Sequence, residues 1–155
     1  MFALFGAAIP FLGIPIIFIA LGLFTVMLAH EFGHAVLAKR LGNRVYRIQI
    51  FPIHGLCLYE TPYSPYEDSI IAWGGVLAQF ILFVPAAATL AFLGNSSIGS
   101  INVLLVTYSY LNAVIMVTNL TPAAPFDGKK AWRLPLLLLR AKWTMYQLKR
   151  KKILK

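Results

Sequence analysis

Near the end of an apolar run, three residues have the types and the spacing to bind a metal ion and activate water. His30, Glu31 and His34 form the pattern H-E-x-x-H. On a helix, the two histidines lie one turn apart on one face and can bind a single metal ion, for which zinc is the expected choice. The glutamate beside them is the candidate catalytic base. The alternative is a helix end that emerges into lipid headgroups with these side chains merely solvated.

The position of this motif strengthens the functional reading. Residues 1–29 contain no charged side chain. An ionisable group at membrane depth costs roughly 3 kcal/mol or more, so a glutamate flanked by two histidines predicts a functional site.

Two histidines leave a zinc site incomplete, because catalytic zinc usually has three protein ligands and an open position for water. Leu37 and Arg40 stand where a metzincin would need Gly and His. Glu60 and Glu67 are possible ligands, but both lie in a polar loop. Asp127 is better placed, because it follows the charge-free stretch 69–126 at a membrane depth similar to that of the histidines.

The residues before Asp127 favour an irregular turn that presents its carboxylate inward. Pro122 and Pro125 end the preceding helix, and irregular backbone at membrane depth is tolerated where it packs in protein or lines a watery cavity. The alternative is an ordinary turn aspartate before Gly128.

Composition places the chain in a membrane. It has 155 residues, of which 59% are hydrophobic and 12% charged, and its mean hydropathy is +0.75. A net charge of +9 would suggest nucleic acid in a soluble protein, but every Lys and Arg falls within residues 39–47 or 129–155. The distribution of positive charge therefore indicates which parts of the chain lie on which side of the membrane. No nucleic-acid partner is expected.

We predict one membrane-embedded domain, residues 1–155, with a three-helix transmembrane core. The expected spans are about 16–38, 69–93 and 101–119. Residues 1–15 should be a short lead-in that is interrupted by Pro10, Gly13 and Pro15. Two short strands, Val45–Phe51 and Leu56–Glu60, should form a hairpin around a turn at 52–55, and residues 61–68 should be a loop.

The cationic segments orient this α-helical integral membrane protein. Its loop 41–68 and its tail 129–155 should face the cytoplasm, together with the candidate site. We expect the tail to form a basic interfacial helix on anionic lipid, with a solvated terminus as the alternative.

These residues resemble the site-2 protease family of intramembrane zinc metalloproteases. The family's H-E-x-x-H matches His30, Glu31 and His34, and its N-x-x-P-x-x-P-x-D-G matches residues 119–128 from Asn119 to Gly128. The segment 47–55 looks like the family's strands, and residues 74–79 look like its A-G-P-x-x-N, with Gln79 in place of Asn.

The resemblance implies a zinc-dependent intramembrane endopeptidase with one zinc ion per chain. His30, His34 and Asp127 would be the metal ligands, Glu31 the general base for the attacking water, and Asn119 a hydrogen-bonding partner for the substrate backbone. The substrate would be a membrane-spanning protein in regulated proteolysis, and a regulatory membrane partner in trans is possible. His54 is either an accessory group near the site or a loop residue without a role.

Two other functions stay open at this point. A catalytically inactive relative could act as a membrane adaptor, but it would be expected to lack Glu31. A metal carrier needs ligands but no base, and it would more naturally line several helices with histidines or carboxylates.

Overall fold

The computed structural model of the protein describes residues 2–51 and 54–153, with side chains for residues 15–51 and 54–147. Among the described residues, three helices are long and apolar enough to cross a membrane: Pro15–Arg40, Pro65–Phe92 and Gly99–Asn119. A two-stranded antiparallel hairpin lies between the first two. The predicted fold class is therefore confirmed.

Helix α1 runs without a break from Phe2 to Arg40, so the predicted interruption at Pro10, Gly13 and Pro15 is wrong. A proline removes one backbone hydrogen bond, but in an apolar helix the neighbouring turns still pair internally. Two residues after the end of the helix, Gly42 has a φ of +90°, a left-handed conformation that favours glycine and ends the helical path.

The hairpin consists of β1, Val45–Ile50, and β2, Gly55–Tyr59. Val45 pairs with Tyr59 at the open end, and Ile50 pairs with Gly55 next to the turn. These bounds agree with the predicted strands to within one residue. Pro52 and Ile53, which belong to the predicted turn, lie outside the described residues.

Helix α2 spans Pro65–Phe92 and begins four residues before the predicted start, so residues 65–68 are not loop. The Oγ of Ser64 accepts a hydrogen bond of 3.2 Å from the backbone N–H of Glu67. With Pro65 in the first turn, this is the capping pattern S-x-x-E, which outweighs the loop-like composition of the segment. Pro85 does not end the helix.

The third span contains α3, Gly99–Val106, a π-helical turn, Thr107–Leu111, and α4, Asn112–Asn119. The sequence predicted this span as one regular helix. After an irregular segment, α5 spans Gly128–Ala131 and α6 spans Arg133–Ile153, where a tail helix was expected.

The helices approach each other closely through glycine. A Cβ atom at Gly33 would lie 2.8 Å from the Cβ of Ala78 and closer still to the Gly74 carbonyl. Larger residues would separate α1 from α2, so this crossing needs glycine on both helices.

Many large apolar side chains lie on the exterior, and polar side chains are buried alongside the apolar core. Large apolar side chains such as Ile81 and Val114 face outward, whereas Gln79 and Asn112 are fully buried. Lipid favours apolar side chains on the exterior and polar groups only where the protein buries them.

Candidate metal centre

The centre is built on the last turns of α1, where the helix presents two histidines on one face. His30 and His34 are 7% and 6% exposed, and their Nε2 atoms are 3.1 Å apart. A spacing of four residues on a regular helix brings the two rings to one point.

Asp127 completes the cluster from a position 93 residues further along the chain than His34. Its Oδ2 lies 2.9 Å from the Nε2 of His30 and 3.1 Å from the Nε2 of His34. The structure therefore brings together the three side chains that the sequence proposed as ligands.

The segment that carries Asp127 is held in place at both ends. Before it, the carbonyl of Leu120 accepts a hydrogen bond of 2.7 Å from the Nε1 of Trp132. After it, the Ser69 hydroxyl donates to the carbonyl of Lys130 at 2.9 Å, and the Lys130 ammonium lies 3.0 Å from an Asp68 carboxylate oxygen. The start of α2 thus anchors α5 and fixes the position of Asp127.

The far nitrogens of both rings also have partners. The Nδ1 of His34 lies 2.8 Å from the backbone carbonyl of Ile71. A carbonyl only accepts hydrogen bonds, so Nδ1 carries the proton and the Nε2 of neutral His34 presents a lone pair. The Nδ1 of His30 lies 3.1 Å from the Oε1 of Gln79.

Sequence reasoning did not predict the contacts of Ile71 and Gln79. The Ile71 contact uses a backbone atom, which leaves no signal in side-chain types. Gln79 was identifiable in principle, because it is an amide in the middle of the charge-free stretch 69–126. Buried polar groups inside a membrane usually have a partner that matters for function.

The donor set fits a zinc ion. Tetrahedral zinc with bonds of about 2.0–2.1 Å separates its donor atoms by roughly 3.3 Å, close to the separations of 2.9–3.1 Å found here. The lone pair of His34 and the Asp127 carboxylate face each other, which is repulsive unless a cation or a proton lies between them. Protonating both rings would place two positive charges side by side, whereas one metal ion satisfies all three atoms.

Asp127 has the ionisation state that a metal ligand needs. Burial raises the pKa of its carboxyl group, but hydrogen bonds from the two histidine rings, when these carry protons on Nε2, lower it and prevail. The pKa is thereby held below its ordinary range, so the carboxylate is ionised at neutral pH.

Glu31 lies beside the cluster without belonging to its three converging donor atoms. It is 7% exposed, and β2 covers it at Gly55. A Cβ atom at Gly55 would lie 2.5 Å from the Oε1 of Glu31, so any side chain at this position would displace the carboxylate from where it lies. The hairpin therefore positions the carboxylate of Glu31.

The cluster opens into a cavity of about 1240 Å³. Glu31, Asn119 and Asp127 all line it, together with the strand β2. Burial raises the pKa of Tyr59, a further lining residue, to about 12, so its hydroxyl group stays protonated and can donate a hydrogen bond.

The other residues considered in the sequence lie apart from the three donors. Glu60 accepts a hydrogen bond from the backbone N–H of Arg44, and Glu67 accepts one from Tyr63. His54 lines the cavity and stacks on Phe51 with ring centroids 4.8 Å apart.

Comparison with known proteins gives two kinds of match. The sequence profile of the family described as Peptidase M50B-like matches residues 3–125. Zinc metalloprotease MJ0392 of Methanocaldococcus jannaschii is 33% identical over 116 residues, which cover 72% of this chain and 32% of that protein. Putative zinc metalloprotease sll0528 of Synechocystis sp. is 30% identical over 115 residues, which cover 70% of this chain and 28% of that protein. The chain thus spans about a third of the length of these relatives.

Proposed function

Because the chain belongs to the Peptidase M50B-like family, we propose that it is a zinc-dependent intramembrane endopeptidase that cleaves a transmembrane segment of another membrane protein. The observation that carries the proposal is the convergence of His30, His34 and Asp127 within 3.1 Å, with a buried carboxylate beside them. An adaptor has no use for this combination of ligands and base.

Each residue has a distinct role in this proposal. His30, His34 and Asp127 hold one zinc ion per chain. When bound, zinc polarises the scissile carbonyl and lowers the pKa of water. Glu31 takes the proton from the attacking water and passes it to the leaving amine. Asn119, on the cavity wall, hydrogen-bonds the substrate backbone and aligns it.

The substrate must enter the cavity in an extended form. A helix hides its carbonyls in its own hydrogen bonds, so the segment to be cut has to unwind locally. The hairpin next to Glu31 has outer strand edges that can pair with such a segment. The cavity of about 1240 Å³ exceeds the roughly 300–1000 Å³ of typical small-molecule sites, which suits a polypeptide.

Charge defines the orientation in the membrane. The Lys and Arg residues lie in 39–47 and 129–155, and His34 and Asp127 closely precede these segments in the sequence, which supports a metal centre on their side of the membrane. The protein is thus multi-pass with its active site toward the cytoplasm. Helix α6 lies on anionic lipid, where each cation contributes about 1 kcal/mol. The substrate is a membrane-tethered protein in regulated proteolysis, with control by a membrane partner in trans.

The test is cleavage by the purified full chain in liposomes. The probe is a single-span membrane protein whose cytoplasmic half carries a helix-breaking Gly-Pro pair. We expect cleavage that stops when zinc is chelated and returns when zinc is restored. Cleavage that persists after complete removal of zinc would contradict the proposal.

A further inference from the structure

We propose that Gln79 is a positioning residue that fixes His30 in the tautomer whose Nε2 is free to bind metal. The proposal rests on the zinc centre proposed above. It concerns a residue outside the three ligands and the base, on a different helix from His30.

Gln79 is 0% exposed in the middle of α2, and its Oε1 lies 3.1 Å from the Nδ1 of His30. One turn earlier on the same helix, Gly75 faces the His30 ring. A Cβ atom at Gly75 would lie 2.6 Å from that Nδ1. Helix α2 therefore provides both the space for the imidazole and the acceptor for its far nitrogen.

The two histidines are supported in different ways. His34 bonds to the backbone carbonyl of Ile71, which cannot act as a donor. His30 bonds to a side-chain amide, which offers an acceptor at one end and a donor at the other. Reversing this amide would place a proton on the Nε2 of His30, 2.9 Å from the Oδ2 of Asp127, and would block that ligand atom. The end of the Gln79 amide that faces His30 therefore decides the tautomer, and in the structure that end is the acceptor Oε1.

The third span holds the backbone of Gln79 in place through a hydrogen bond from Asn112. The Nδ2 of Asn112 donates to the backbone carbonyl of Gln79 at 3.1 Å and to that of Tyr108 at 3.2 Å. Asn112 is fully buried and directly follows the π-helical turn Thr107–Leu111. Such turns often occur at functional sites, and here the turn leads into the residue that ties Gln79 to the third span.

Two substitutions separate positioning from packing. Gln79→Met keeps a similar volume but removes the acceptor, whereas Gln79→Glu keeps an acceptor and removes the donor. Outer-shell partners of ligand histidines typically contribute 10–100-fold in metal affinity. We expect Gln79→Met to weaken zinc binding by about that factor, and Gln79→Glu to match or exceed the wild-type affinity.

The experiment is competition for zinc between a chromogenic chelator and each purified full-length variant, with the melting temperature of each apoprotein measured in parallel. The visible spectrum of the Co²⁺ complex reports the geometry of the centre and should change in Gln79→Met only. The matched control is Thr107→Val, which alters an equally buried side chain that bonds to the carbonyl of Val103 in its own helix. It should bind zinc like the wild type.

The proposal is overturned if folded Gln79→Met binds zinc as tightly as the wild type. It is also overturned if folded Gln79→Glu loses as much affinity as Gln79→Met is expected to lose, and this second comparison stands even if Gln79→Met does not fold. Failure of the zinc centre itself would be distinguishable, because the wild type would then bind no better than His34→Ala.

Discussion

At His34, a single contact with the backbone decides which ring nitrogen carries the proton and which one offers a lone pair to Asp127. The bond of 2.8 Å from Nδ1 to the Ile71 carbonyl leaves a lone pair on the Nε2 of neutral His34, 3.1 Å from the Oδ2 of Asp127. The repulsion between these two electron-rich atoms is removed by a second proton on the ring or by a metal ion, and the metal ion also satisfies the Nε2 of His30. Proton placement therefore supports a metal centre independently of the family match.

The sequence predicted which residues would form this cluster, because each carries a signal in its type and position. His30 and His34 are spaced for one helix face, and Asp127 is the first charge after a long apolar stretch. The supports of the rings could not be predicted in the same way. They depend on how α2 packs against α1, across 37 residues for Ile71 and 49 for Gln79.

We predict that Asp127→Asn weakens zinc binding without unfolding the protein. An amide oxygen is a poorer ligand than a carboxylate, and loss of a direct ligand should exceed the roughly 10–100-fold effect of an outer-shell change. Zinc content after dialysis against a graded chelator series is the measurement.

The control for this variant is Glu60→Gln, which alters one of the two other carboxylates considered as ligands. Glu60 bonds to the backbone N–H of Arg44, so its replacement should leave zinc binding unchanged. If Glu60→Gln lost zinc and Asp127→Asn retained it, the ligand set would be wrong.

At the scale of elements, the sequence predicted a helix or strand correctly where its local pattern was typical of only one kind of structure. The hairpin has alternating β-branched residues, and its strands appear within one residue of the expected ends. Helix α2 begins at Pro65, before the start that the sequence predicts, because the composition around Ser64 and Pro65 is typical of a loop. Their capping geometry shows that the same residues begin the helix.

Two features of the helices have no clear signature in sequence. Pro10 and Pro15 remain within α1 although proline disfavours helix interiors. The π-helical turn Thr107–Leu111 lies within residues 101–119, which contain no Gly or Pro to mark a change of helix type. In both cases the conformation depends on how neighbouring turns and helices satisfy the backbone hydrogen bonds. The periodicity of the sequence carries no information on this.

At the scale of the whole molecule, the family match confirms the resemblance to site-2 proteases that the two motifs indicated. Composition alone identified a membrane protein, and the outward-facing apolar side chains agree with it. The orientation of the three spans follows only from the distribution of Lys and Arg, so it needs a direct test.

We predict that a cysteine introduced at Ser97, in the exposed connection before α3, reacts with a membrane-impermeant maleimide only from the extracytoplasmic side. A cysteine at Thr144 on α6 should react only from the cytoplasm. The native Cys57 gives little background, because burial raises the pKa of its thiol to about 11 and leaves little thiolate. Labelling of Ser97→Cys from the cytoplasm alone would overturn the topology.

The central claim is that Glu31 moves protons and does not hold the metal. Its most direct test measures zinc content and cleavage on the same preparations of wild type, Glu31→Gln and the control Glu67→Gln. Glu31→Gln should keep about one zinc ion and its melting temperature, while cleavage falls by at least the 10²- to 10⁴-fold typical of lost acid–base catalysis. The control should cleave like the wild type, because Glu67 bonds to the backbone of Tyr63. Cleavage of a helical membrane substrate by Glu31→Gln at the wild-type rate would contradict the mechanism.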